Sequence, residues 1–377
     1  MDEQLALALQ RLDAILKPGL TEEALNGALV EVFERAKQAD PASRDRALAY
    51  LAERVATIPL GPASFLAVGC GALVELGANP EPALPAILTR TCEALAGATV
   101  FAEACQAQAR SGPPGDLDSD DAEACIEAFG QQVGDRMPEQ ADAWLAAADL
   151  LRSMTALLSH SASARATARA DQELAAALER MLDLADPGCA GFARQLLHVL
   201  DGEELVVLHP GLGRGYRVRI SGVADNVQLD VLLAAALIGE PEQGWLPGTR
   251  PDPQVAAAAR DGPVSDSLPP AIRTFKLVNW HGLRPDGTLA EGTDDHEHWI
   301  WSEGVPADIA TLDGQRIVLV GPSAYPWAST AGRRFPGMVG DLRVVETLTP
   351  EAARALLQRI AAAAGPAPPE GDAPVVT

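Results

Sequence analysis

Lysine is nearly absent from this 377-residue chain: Lys17, Lys37 and Lys276 are its only three. Lysine and arginine together number 29 against 52 acidic residues, for a formal net charge of −23. A phosphate backbone is repelled by such a surface, so the charge argues against a nucleic-acid partner. The excess is uneven: residues 1–202 hold 30 acidic and 15 basic side chains (−15), and residues 203–377 hold 22 and 14 (−8). Scarce lysine beside abundant alanine reads as coding in a GC-rich bacterial genome.

Long hydrophobic runs are also lacking. The longest near-continuous one, 62–76, falls short of the roughly 18–20 residues needed to cross a bilayer. It contains Gly69 and Gly71 and reads as a buried helix, so no membrane partner is expected. The start, Met1-Asp2-Glu3, has neither the basic stretch nor the apolar core of a secretory leader. The five cysteines (Cys70, Cys92, Cys105, Cys125, Cys189) are odd in number and have no close pairing. That pattern predicts reduced thiols in a cytoplasmic protein, each acting as a small buried hydrophobe.

Catalytic signatures are missing too. The GxxxxGK[ST], HExxH, CxxC and GxSxG patterns do not occur, and no cofactor is expected. Gly211-Leu212-Gly213-Arg214-Gly215 follows a strand, as a phosphate-binding loop would, but leads into another strand rather than a helix. It is read as a hairpin turn in which glycine supplies a positive φ.

What is present divides at Asp201-Gly202. Before it, apolar residues recur with helical period: Leu5, Leu9, Leu12 and Leu16, then Leu25, Leu29, Val32 and Ala36. Pro18-Gly19, Asp40-Pro41, Gly61-Pro62 and Asn79-Pro80 punctuate the run, placing helix starts near residues 3, 22, 42, 63 and 82. Paired helices of about 40 residues match a HEAT- or armadillo-like array, and an irregular helical bundle fits equally well. A polar loop at 111–120 divides this half, with further helices over 121–133, 139–159, 168–184 and 188–199.

After Gly202 the period becomes two. Tyr216-Arg217-Val218-Arg219-Ile220 alternates apolar and charged residues, as in a strand with one face wet. Strands are expected at 205–208, 216–220, 272–280, 297–302, 315–320 and 341–347. Helices are expected at 226–238, 253–260 and 350–364, the last capped by Thr349. The fold class is therefore an all-helical domain (1–202) followed by an α+β domain (203–364) with a mostly antiparallel or mixed sheet of about six strands. The tail 365–377, rich in Pro, Ala and Gly, is expected to be disordered.

Three groups of residues suggest function, all past Gly202. Five of the six tryptophans lie there, and Trp299 and Trp301 would share one strand face. The long segment 321–340 carries Tyr325, Trp327, Arg333, Arg334 and Phe335. Tryptophan, tyrosine and arginine dominate interface hot spots, so these residues with Trp280 are candidates for binding a protein partner. Arg214, Arg217 and Arg219 are candidates for an anion site. Asp294-Asp295-His296-Glu297-His298, with His281, is the densest set of possible metal ligands. His209 or Asp225 are further candidates to complete it. The leading expectation is a non-enzymatic interaction or adaptor protein, a helical scaffold bearing an α+β recognition domain. The alternative is a metal-dependent hydrolase centred on His281, His296 and His298.

Overall fold

A computed structural model describes residues 2–16, 21–111, 118–284, 286–289, 298–323, 327–330 and 332–365. The chain forms two compact units, Met1–His198 and Val199–Thr377.

The first unit is helical: α1 (Glu3–Ile15), α2 (Glu22–Gln38), α3 (Pro41–Thr57), α4 (Leu60–Glu75), α5 (Leu84–Ser111), α6 (Ala122–Gly134), α7 (Pro138–His160), α8 (Ala162–Ala170), α9 (Gln172–Leu184) and α10 (Ala190–Leu197). Side-chain caps fix many of the starts. Thr21 accepts from the Ala24 N–H, Asp40 from Ser43 and Asp121 from Ala124, each relieving an orphan amide of the first turn. The stretch expected as one helix over 168–184 is two, because Asp171 ends α8 and caps α9 through the amides of Glu173 and Leu174. In a solenoid each repeat touches only its neighbours. Here α7 packs against both α4 and α5, and α9 against α5, which is bundle packing. Cys70, Cys105 and Cys125 are buried, and burial pushes the Cys70 thiol up to about 12.

The second unit contains β1 (Leu200–His209), β2 (Arg214–Val223), α11 (Asn226–Leu237), α12 (Pro253–Arg260), β3 (Ala271–Ile272), β4 (Phe275–Val278), β5 (Thr311–Leu312), β6 (Gln315–Pro322), β7 (Ala328–Ser329), β8 (Asp341–Thr347) and α13 (Pro350–Ala364). Six strands make a mixed sheet of order β4-β6-β1-β2-β8, with β5 paired to β6. β1 and β6 run parallel, and the other pairs are antiparallel. β3 and β7 form a separate two-stranded ladder. The β1–β2 turn is a hairpin, with Gly213 at φ 60°.

Alternation along the central strands builds two cores. Leu205 and Val207 of β1 and Val318 and Val320 of β6 join a cluster with α11 and α12. Val206, Leu208, Ile317 and Leu319 face the other way and pack with Ala353 and Ile360 of α13. The two middle strands are therefore apolar on both faces, and the wet face predicted for 216–220 is found on β2 and continues onto its neighbour β8, where Arg343 is exposed opposite Arg219. Truncating one of these buried leucines would cost about 2–5 kcal/mol.

The segment 297–302 departs from expectation. Among its described residues there is no strand, only a single bridge between Trp299 and Val278. Two hydrogen bonds lay it against β4: Asn279 N–H to the His298 carbonyl at 2.9 Å and Ile300 N–H to the Leu277 carbonyl at 3.0 Å. The chain then turns away, and Trp301 and Gly304 offer their carbonyls to α11 instead of to a ladder. No described helix is long and apolar enough to cross a membrane.

Candidate functional site

α11 is buried almost all round, and it carries four polar residues at its start. Asp225 caps it, accepting from the Gln228 N–H at 2.8 Å. Burial raises the Asp225 pKa against the lowering effects of that hydrogen bond and the Arg334 charge. Gln228 is fully occupied: its carbonyl accepts from the Ala224 N–H at 2.8 Å and its amide donates to the Ala259 carbonyl at 2.7 Å.

Asn226 and Asp230 differ. They lie one turn apart on one face of the helix and are 3% and 4% exposed. The Asn226 amide nitrogen donates to the Trp301 carbonyl at 2.8 Å, leaving its Oδ1 buried with no partner among the described residues. Asp230 Oδ1 is likewise buried and unpaired. Desolvation pushes the Asp230 carboxyl up to about 7, with the charge of Arg273 acting in the opposite direction.

Arg273 is set between the short ladder and β4. Pairing of Ala271 with Ser329 and Ile272 with Ala328 brings Trp327 alongside it. The Arg273 N–H donates to the Trp327 carbonyl at 2.9 Å, and its guanidinium lies 4.8 Å over the Trp327 ring. Its Nη2 reaches the Ser302 hydroxyl at 3.4 Å, and its Nε is buried without a partner. An unmet buried polar group costs roughly 1–3 kcal/mol. Each such group calls for an explanation, and a binding or catalytic role is one. A carboxyl near 7 in such a place can accept or release a proton at neutral pH.

The aromatic and arginine candidates separate into distinct places. Trp301 is 52% exposed, its ring 5.9 Å from that of Trp299. Trp299 carries the Lys276 ammonium at 5.0 Å. Trp280 is half-buried against the α13 side of the sheet. Arg333 donates to the carbonyls of Ala258 and Gly262, both at 3.0 Å, and to that of Pro336 at 2.8 Å. Phe335 is buried. These last two fasten the segment down, while Arg334 is exposed. Tyr325 lies outside the described residues.

The three arginines near β2 each have their own contacts. Arg214 donates to the carbonyls of Trp245 and Pro241. Beside it Tyr216 stacks on Trp245 with ring centroids 6.1 Å apart. Arg217 pairs with Glu346 at 3.1 Å and Arg219 with Glu204 at 2.7 Å. In both pairs the glutamate is the direct cross-strand neighbour.

His281 and His298 come together, with ring centroids 6.1 Å apart. Burial and the His298 charge lower the His281 pKa. His296 lies outside the described residues. His209 caps the turn after β1, accepting from the Leu212 N–H at 3.3 Å. Among the described residues no group of three or more His, Cys, Asp or Glu is gathered as a metal site.

Asn226, Asp230, Arg273 and Ser302 were not among the sequence candidates. The one signal available was Asp230 itself, a carboxylate amid Leu229, Val231, Leu232 and Leu233, where an ionisable residue is rarely buried without a reason. Compared with protein-family models, with curated proteins and with solved structures, the chain gives no match in any of the three.

Proposed function

We propose that the chain is a non-enzymatic cytosolic interaction protein of bacterial type, in which the helical unit is a scaffold and the α+β unit recognises a protein partner. The observation that carries this reading is Trp301, a large aromatic more than half exposed beside Trp299. Tryptophan is among the residues enriched in the hot spots of protein interfaces. Trp327 with its bound Arg273, and exposed Arg334, supply further aromatic and cationic surface. Arg333 and Phe335 serve this surface indirectly, by holding its segment in place. The test is affinity capture from native lysate with the wild type and with Trp301→Ala, which removes exposed surface and leaves the core intact. A specific partner lost in the variant supports the reading; identical captured sets contradict it.

A second reading, a metal-dependent hydrolase at His281, His296 and His298, draws on the approach of His281 to His298. Two imidazoles are half of a zinc ligand set. Metal analysis of the purified protein decides it: stoichiometric zinc, manganese or iron favours it, and their absence after metal-replete expression removes it.

A further inference from the structure

Among the buried polar atoms of the α+β unit that have no hydrogen-bond partner among the described residues are Oδ1 of Asn226, Oδ1 of Asp230 and Nε of Arg273. These three belong to one connected group. Asn226 donates to the Trp301 carbonyl, and the next residue, Ser302, receives Arg273 Nη2. The Arg273 charge acts on Asp230, which shares a helix face with Asn226. The orientation of the Asn226 amide is fixed by its partner, because only its nitrogen can donate to a carbonyl. With Asp230 ionised, the open positions are two acceptors and one donor.

The complement is a group with two donors and one acceptor. Its charge is constrained as well. A cation meets Arg273, with Arg334 near Asp225 at the head of the helix, and an anion meets Asp230 and Asp225. A neutral group meets neither penalty. The geometry points to a binding site for a small ligand bearing a primary carboxamide, whose NH₂ donates to Asn226 and Asp230 and whose carbonyl accepts from Arg273 Nε. The Trp327 ring beneath the Arg273 guanidinium offers apolar surface to the remainder of the ligand. This site shares Arg273 and Trp327 with the proposed partner surface, but its probes are read without any partner, so a negative capture experiment leaves it standing.

Four near-isosteric probes test it on the intact wild-type chain at neutral pH: benzamide, N,N-dimethylbenzamide, benzoate and benzamidine. Fragments of this size bind weakly, so calorimetry and ligand-observed NMR are run up to about 10 mM. Benzamide is expected to bind saturably, and each of the other three at least about tenfold more weakly. Equal binding of all four, tighter binding of either charged probe, or no benzamide binding overturns the proposal; the last is also what a site filled only by water gives. Asp230→Leu then places the site, since it removes one acceptor and a buried carboxyl together. A folded variant that binds benzamide as well as the wild type overturns the assignment. If that variant does not fold, the four-probe series decides alone.

Discussion

Arg273 lies close enough to Asp230 to draw its pKa down, yet no hydrogen bond joins the two. Desolvation wins, and the carboxyl rests at about 7 instead of 3.8. A bidentate pair with Arg273 would have satisfied both groups and held the carboxyl low. Their separation is what marks the head of α11 as a site and not as a structural ion pair.

The first prediction is a pH dependence. A raised carboxyl pKa means that the folded chain binds a proton the unfolded chain has already released. The stabilisation is present in full below about pH 4 and is lost as pH rises through 7. Over that interval the shift is on the order of 4 kcal/mol as an upper bound. Asp230→Asn does not titrate there. Urea denaturation of both proteins should show the variant gaining on the wild type steadily from pH 4 to pH 8. A difference independent of pH would mean that Asp230 is not held neutral.

Arg333 is expected to matter for stability more than for contact. Its guanidinium closes three carbonyls, two of them at the end of α12. Charged hydrogen bonds are worth about 1.5–3 kcal/mol each, so Arg333→Ala should destabilise the α+β unit by a few kcal/mol. Limited proteolysis should then cut within 332–340 sooner than in the wild type.

Gly222, one residue before the end of β2, has φ 63° and is pressed against the chain at Val339: an added Cβ would stand 2.1 Å from the Val339 carbonyl oxygen. Gly222→Ala adds left-handed strain to a backbone clash, and should cost more than the roughly 1 kcal/mol typical of a point substitution. Thermal denaturation measures it. A variant as stable as the wild type would mean that segment 338–340 does not lie where the structure puts it.

Much of the architecture was legible because it rests on local rules. The caps Thr21 and Thr349, the glycine turn at Gly213 and the alternation from Tyr216 to Ile220 each require only neighbouring residues, and each appears in the structure. The segment around Trp299 misled because its alternation resembles a strand. After one bridge to β4, its next carbonyls go to α11, a partner remote in sequence. Likewise Arg217 and Arg219 looked like a shared cationic face, and the register that sets Glu346 and Glu204 opposite them is not written locally. The Asp230 group was missed for the same reason. Asn226, Arg273 and Ser302 are ordinary polar residues until the fold buries them together.

The most direct test of the site is the ionisation of Asp230 itself. The Asp230 carboxyl carbon is followed by ¹³C NMR from pH 4 to pH 9 and assigned by the signal lost in Asp230→Asn. A midpoint near 7 is the expected result. A midpoint near 4 would show a solvated or well-paired carboxylate, and would contradict a buried, unpaired Asp230 at the centre of the site.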